Sequence, residues 1–251
     1  MQRQESRIRI LPLVAALLIG ASAVGFAYYF RAFVATTDPL LLVTDAAVKV
    51  ESSSLGLSFL PLSGAKDLGL AFYQGARVPP EAYAYLGRAA AAAGYPVVIL
   101  KTPLNFAVFA PGKAAAAAAA LPQVRRWVLG GHSLGGAMAA VRAAKAPESV
   151  AGLLFLGAYP GGGTRLSGAA FPVLSISATN DGLATPAKVA AGRKNLPQAA
   201  RHVVVAGGNH AQFGEYGPQG GDGAADISGA AQRRAVVEET LRLLGEAAAR
   251  P

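Results

Sequence analysis

The chemistry that can be read from this chain starts at a glycine-flanked serine, Gly131-His132-Ser133-Leu134-Gly135. The apolar stretch Trp127-Val128-Leu129-Gly130 precedes it, and the small residues Gly136-Ala137-Met138-Ala139-Ala140 come after. A strand that turns sharply into a helix through Gly-x-Ser-x-Gly is the setting of a nucleophile elbow, with the hydroxyl exposed above the sheet. Glycines on either side remove Cβ atoms that so tight a turn would press into neighbouring backbone. The helix that begins there aims free N–H groups at developing negative charge. With 30 glycines in 251 residues the pentapeptide also arises by chance, as a plain turn between a strand and a helix. The weight therefore rests on its surroundings, and on whether the chain supplies a base, an orienting acid and an oxyanion hole.

Three histidines make the search for the base short. His132 lies inside the elbow, where its side chain is expected to point away from the Ser133 hydroxyl. His202 opens the apolar run His202-Val203-Val204-Val205-Ala206, at a strand start. His210 comes after that strand in Gly207-Gly208-Asn209-His210-Ala211-Gln212-Phe213-Gly214. By elimination and by position, His210 is the candidate general base. The acid that orients an imidazole and stabilises its charged form should come from another strand end. Asp181 lies just beyond the apolar run 171–178, in Thr179-Asn180-Asp181-Gly182. An Asp before Gly is also a common turn residue. Asp222 and Asp226, beyond His210 in a glycine-rich stretch, are the alternative acids.

Together these residues resemble the α/β-hydrolase superfamily, and within it a small bacterial branch without a lid domain. The resemblance covers roughly residues 68–246. Its more specific elements are Phe72-Tyr73-Gln74-Gly75-Ala76, the elbow, Asp181, and Gly208-Asn209-His210-Ala211-Gln212-Phe213-Gly214. The chain order Ser133, Asp181, His210 is the order of that superfamily's triad. The resemblance implies an oxyanion hole made by the backbone N–H groups of Ala76 and Leu134. Where the family carries a His-Gly segment after its third strand, this chain has Gln74-Gly75-Ala76-Arg77. A backbone donor tolerates such a change of side chain. Arg77, beside that segment, is a candidate for binding an anionic substrate group, since a guanidinium pairs well with carboxylate or phosphate. An ordinary surface arginine is the favoured reading of it.

Composition sets the limits. The chain has no cysteine, which excludes a disulfide, a thiolate nucleophile and a cysteine metal site. That usage fits an extracytoplasmic enzyme. Net charge is +9, from 23 basic and 14 acidic residues. No basic run with interleaved aromatics accompanies the charge, so a nucleic-acid partner is not expected. A basic surface that favours anionic lipid, or one that is simply solvated, accounts for it better.

Residues 10–30 form a run of 21 residues without a charge. As a helix it would span roughly 31 Å, enough for the hydrocarbon core of a bilayer. Arg3, Arg7 and Arg9 precede it, opposed only by Glu5. Positive residues favour the cytoplasmic side, which puts the rest of the chain outside. Tyr28, Tyr29 and Phe30 suit the far interface, and Arg31 closes the span. The expected organisation is a cytoplasmic N-terminus over 1–9, a signal anchor over 10–30, a linker over 31–39 and a catalytic domain over 40–251. A secreted protein is the alternative, because Ala21-Ser22-Ala23 has the form of a cleavage site. A buried core helix is a third reading of the run.

The elements that must position the site are set by hydrophobic patterning. Strands are expected over 40–50, 55–62, 68–73, 96–101, 124–130, 150–156, 173–177 and 202–206. Helices are expected over 79–93, 114–120, 184–195 and 231–249. The seven alanines of 114–120 fit a helix by propensity. Strands alternating with helices, with near-continuous apolar strands, indicate a mostly parallel sheet of about eight strands covered on both faces. Between the sixth strand and the strand before Asp181 only residues 157–170 are available for a lid, and that length makes a loop; residues 217–223 are an alternative partial cover. The expected site is therefore shallow and open to small or surface-presented substrates.

The expected function is that of a membrane-anchored, extracytoplasmic serine hydrolase acting on an ester or related acyl bond through an acyl-enzyme. The small-molecule ester is its partner in chemistry, and neither metal nor cofactor is required. Other readings stand beside it. The same triad serves acyl transfer to an alcohol or amine, or peptide cleavage. The fold also serves as a non-catalytic, membrane-tethered binding module, since fold alone does not fix chemistry.

Overall fold

The computed structural model describes Ala15, Gly20, Ser22, Gly25 and residues 30–250. The chain divides into two compact units, Met1–Ala32 and Phe33–Pro251. The anchor expected over 10–30 lies almost wholly outside the described residues. Among the described residues, no helix is long and apolar enough to cross a membrane.

The second unit is built on eight strands: β1 Val48–Ser52, β2 Gly56–Pro61, β3 Leu68–Tyr73, β4 Val97–Leu100, β5 Arg126–His132, β6 Gly152–Leu156, β7 Val173–Ala178 and β8 Arg201–Val205. Their order in the sheet is β1-β2-β4-β3-β5-β6-β7-β8. β2 runs antiparallel to β1 and β4, and every other pairing is parallel. This is the α/β-hydrolase fold expected from the sequence.

The alternation of side chains along a strand divides the core in two. Leu68, Leu70 and Phe72 of β3, Val128 of β5, Leu154 and Leu156 of β6, and Leu174 and Ile176 of β7 pack in one layer. Ala71, Tyr73, Trp127, Leu129, Leu153, Phe155 and Val173 pack in the other. The first layer is covered by α1 Ala84–Ala92 and α5 Gly229–Ala248, through Leu86, Ala90, Val236, Leu243 and Leu244. The second is covered by α2 Lys113–Ala120 and α3 Leu134–Lys145, through Ala114, Ala117, Ala139, Ala140 and Ala143. A short α4 Pro186–Gly192 comes after β7. The alanine run is thus helical, and its small side chains let α2 lie close to the sheet. Residues 157–170, between β6 and β7, hold no helix or strand.

Two expectations need correction. The strand expected over 40–50 is a 3-10 helix at Pro39–Leu42 and then the shorter β1. Asp38 accepts the Leu40 N–H at 2.9 Å, and Arg88 donates to Leu41 O at 3.1 Å and to Val43 O. These bonds, with the fixed φ of Pro39, outweigh the strand preference of a Leu-Leu-Leu-Val run. The strand expected over 124–130 lies two residues later. Val124 N–H closes a turn on Leu121 O at 2.9 Å, and the strand continues through Gly131 and His132.

Candidate active site

Ser133 comes directly after the last residue of β5 and caps α3 with φ 53° and ψ −124°. A non-glycine residue held there costs about 1–3 kcal/mol and persists only when its surroundings fix it. Two glycines make that possible. A Cβ on Gly131 would lie 2.3 Å from the carbonyl carbon of Gly135, and one on Gly135 would lie 2.3 Å from Tyr73 O and 2.4 Å from Gln74 O. The first turn of α3 is therefore pressed on the end of β3, where the Gln74-Gly75-Ala76 segment begins. The Ser133 N–H donates to Leu156 O at 3.0 Å, which ties the elbow to the end of β6.

Asp181 and His210 come together at the ends of β7 and β8. Both are buried, with 2% and 1% of their surface exposed. The His210 Nδ1–H donates to Asp181 Oδ2 at 2.7 Å. Asp181 Oδ1 accepts the N–H groups of Leu183 at 2.8 Å and Ala184 at 2.7 Å. The carboxylate is therefore fixed by backbone on one oxygen and holds the imidazole with the other. This bonding leaves the lone pair on His210 Nε2, the tautomer a general base needs. That nitrogen is buried and has no hydrogen-bond partner among the described residues. Ser133, at the end of β5 and separated from β7 by β6, makes no hydrogen bond to it. In unliganded enzymes this contact is commonly loose and tightens with substrate.

Of the two alternative acids, Asp222 holds backbone and Asp226 holds a side-chain amide. Asp222 Oδ1 accepts the N–H groups of Gly182 at 3.1 Å, His210 at 3.1 Å and Gly223 at 2.8 Å, and its Oδ2 accepts Ala211 N–H at 2.8 Å. One carboxylate thus clamps the loop after Asp181 to the loop that carries His210. Asp226 Oδ2 accepts from Asn180 Nδ2 at 2.9 Å. Gln232 of α5 completes the clamp, accepting Asn209 N–H at 3.0 Å and donating to Asn209 O at 2.8 Å.

The N–H groups of Ala76 and Leu134 meet no acceptor among the described residues, as donors kept for an oxyanion would. The segment before them is firmly held. The buried Gln74 side chain, in the amide orientation its neighbours require, donates to Leu100 O and accepts Thr102 N–H at 3.0 Å. Arg77 takes a left-handed φ of 66°, and its guanidinium carbon lies 4.9 Å from the centre of the Phe33 ring.

His132 turns into the core, away from the serine, but it has a role that position in the sequence does not reveal. Its Nδ1 lies 2.9 Å from Tyr83 Oη, which accepts the Gly75 N–H at 3.0 Å. Tyr83 is fully buried, and burial holds its hydroxyl well above the usual phenol range, so it keeps its proton while hydrogen-bonded to His132. The His132 ring lies 4.5 Å from that of His210, centre to centre. Burial first, and the neighbouring His210 second, hold His132 well below its ordinary value of about 6.5. The neutral imidazole is thus wedged between the Gln74-Gly75-Ala76 segment and the candidate base. No sequence signal marks these contacts, because Tyr83 and His132 are 49 positions apart.

This burial makes stability depend on pH. The native state resists protonating His132, while the unfolded chain binds that proton below about pH 6.5. Stability is therefore full above that pH and is lost as pH falls towards the depressed native value, with a slope of up to about 1.4 kcal/mol per pH unit for one proton. His202, partly desolvated and close to Arg193, shifts in the same direction and adds to the slope. Urea unfolding at pH 7.5 and pH 5.0 should give a lower midpoint at the acid end. A His132→Asn variant, whatever its absolute stability, should have a shallower pH dependence. An identical slope in both proteins would contradict this account.

A cavity of about 660 Å³ opens at the opposite, N-terminal edge of the strands, lined by Arg125, Arg126, Val150, Ala151 and Phe171 among others. Its volume does not make it the site, because Ser133, Asp181 and His210 all stand at the C-terminal edge, where open α/β sheets bind ligands.

Residues 69–234 match the model of the Alpha/beta hydrolase family. No curated protein matches the chain. Among solved structures, the chain is similar to a predicted CIB-like hydrolase from Thermoplasma acidophilum, at 14% identity over 78% of this chain and 99% of that one, with a TM-score of 0.56. It is similar to dienelactone hydrolase from Anabaena variabilis at 17% identity, over 80% and 98%, with a TM-score of 0.56. A structure from work on LipS and LipT, two metagenome-derived lipolytic enzymes, matches at 15% identity over 73% and 95%, with a TM-score of 0.55. Identities this low speak for the fold alone.

Proposed function

The chain belongs to the alpha/beta hydrolase family, and from that premise we propose that it is a serine hydrolase cleaving an ester or related acyl bond. The observation that carries the reading is the buried 2.7 Å bond from His210 Nδ1 to Asp181 Oδ2, at the same sheet edge as a strained serine. Ser133 Oγ attacks the acyl carbon as its proton passes to His210 Nε2. The carbonyl oxygen gains the negative charge, and the N–H groups of Ala76 and Leu134 stabilise it. Collapse expels the leaving group, which takes the proton from His210, and an ester bond to Ser133 remains. Water then attacks that ester, with His210 again receiving and returning the proton. Asp181 holds the imidazole in its working tautomer throughout. Rotation of the Ser133 side chain about χ1 brings the hydroxyl to the base when substrate fills the site.

The missing Ser133–His210 hydrogen bond is the one observation that favours a non-catalytic module. A fluorophosphonate probe and a panel of short p-nitrophenyl esters decide between the two readings. Covalent labelling with ester turnover supports the hydrolase. A folded protein that neither labels nor turns over any ester supports the module.

We also propose that residues 10–30 anchor the protein in a membrane with the second unit outside the cytoplasm. The uncharged run and the arginines before it support this. Expressed in full, the protein should stay with membranes through alkaline carbonate extraction and be open to protease from the outer side. Release into the soluble fraction would count against the anchor.

A further inference from the structure

The cavity at the N-terminal edge of the strands has no part in the chemistry assigned to Ser133, and its walls have the makings of a second binding site. Its volume, about 660 Å³, falls within the range of roughly 300–1,000 Å³ that small-molecule sites occupy. The floor is apolar. Val150 and Ala151 lead into β6 and Phe171 leads into β7, and Val150 and Phe171 are both buried. The rim is basic. Arg125, Arg126 and Arg250 line it, and Glu148 is the one acid beside them among the described residues.

The three arginines are not equivalent. Arg126 donates to Ala247 O and Ala248 O, each at 3.5 Å, to Arg250 O at 2.5 Å and to Asp67 Oδ1 at 3.4 Å. It serves the C-terminal end of α5, whose last carbonyls need a cation. Arg250 gives Nη1 to Ala170 O and meets no carboxylate among the described residues. The exposed Arg125 side chain has neither an ion pair nor a hydrogen bond there. A guanidinium carries five N–H donors in a fork that matches a carboxylate, so donors remain open on both. A smaller cavity of about 260 Å³ shares the 169–171 segment and Arg250, but its other arginine, Arg201, is already held by Glu239 and, at 3.4 Å, by Glu246. The open donors therefore belong to the larger cavity, above its apolar floor.

We propose that this cavity binds an amphipathic organic anion, a monocarboxylate whose head meets Arg125 and Arg250 and whose hydrocarbon tail covers Val150, Ala151 and Phe171. Exposed guanidiniums alone hold an anion weakly in water. The apolar floor therefore supplies the affinity, and the arginines select for charge. β5 runs from Arg126 at this edge to His132 at the other, roughly 20 Å of strand. The site is thus separate from Ser133 and does not rest on the hydrolase reading.

The test is calorimetric titration of the full chain with hexanoate, beside hexan-1-ol, acetate and inorganic phosphate. The expected result is saturable binding of hexanoate, with the other three each weaker by about tenfold or more. An Arg125→Gln, Arg250→Gln variant should lose about tenfold or more in affinity for hexanoate. An Ala169→Trp variant fills the cavity from its wall, leaves both arginines in place and should abolish hexanoate binding. Thermal unfolding of each variant shows that it is folded, and either one suffices to place the ligand. Absence of saturable hexanoate binding in the parent overturns the proposal. So does hexan-1-ol or phosphate binding as tightly as hexanoate, since the first removes the selection for charge and the second the role of the tail. Hexanoate binding that survives in folded forms of both variants puts the ligand elsewhere and overturns it as well.

Discussion

Ser133→Ala removes fluorophosphonate labelling and lowers ester turnover by about five to six orders of magnitude, the loss expected when the nucleophile of a triad acting as a unit is deleted. His210→Ala should fall nearly as far, and the double variant hardly further, because either change disables the same step. The surviving rate reflects substrate binding and the Ala76 and Leu134 N–H groups, about three to four orders of magnitude over water. The elbow geometry is set by glycine contacts and by the Ser133 N–H bond to Leu156 O, none of which involves Oγ. The alanine variant should thus melt at or slightly above the temperature of the parent, since the serine's strain is part of its surroundings. Paired kinetic and calorimetric runs should show stopped turnover together with unchanged unfolding. Retained labelling in the variant would identify a different nucleophile.

Asp181→Asn should lower kcat by about four orders of magnitude while leaving KM within a few-fold. An amide in place of the carboxylate can still accept the Leu183 and Ala184 N–H groups through its oxygen, so the loop has no reason to collapse. The group facing His210 Nδ1 then becomes an NH₂ donor. That favours the imidazole tautomer with its proton on Nε2, and the lone pair no longer faces the serine. The same substitution at Asp226, which accepts from Asn180, is the control and should change kcat by less than tenfold. Comparable losses at the two positions would mean that Asp181 holds the loop and does not orient the base.

The elements that set this site are legible in the sequence to different degrees, for physical reasons. The elbow, the end of β7 and the end of β8 show because a parallel strand buried on both faces is a short apolar run. The loop after each such strand lies, by topology, at one edge of the sheet. That places Ser133, Asp181 and His210 together without any knowledge of distance. Which of three aspartates meets the imidazole is less visible. Asp181 and Asp222 are both loop residues before glycine, and one binds a ring nitrogen while the other binds four backbone N–H groups. Nothing local separates these uses, because both satisfy the same need of a carboxylate for donors. The wedge of His132 against Tyr83 and His210 is invisible for the same reason: it is a contact made by the folded chain. The 3-10 helix at Pro39–Leu42 reads as strand because a run of leucines masks the Asp38-Pro39 start signal beside it.

The clamp made by Asp222 and Gln232 also orders the events by which a new molecule becomes competent. Both residues lie C-terminal to the loop they hold. While the chain leaves the ribosome, β5, the elbow and the Asp181 loop are synthesised first, and His210 is made before the groups that seat it. The nascent polypeptide therefore carries Ser133 before the residues that seat His210 exist, and the His210 loop is held only once residues 222–232 have been made.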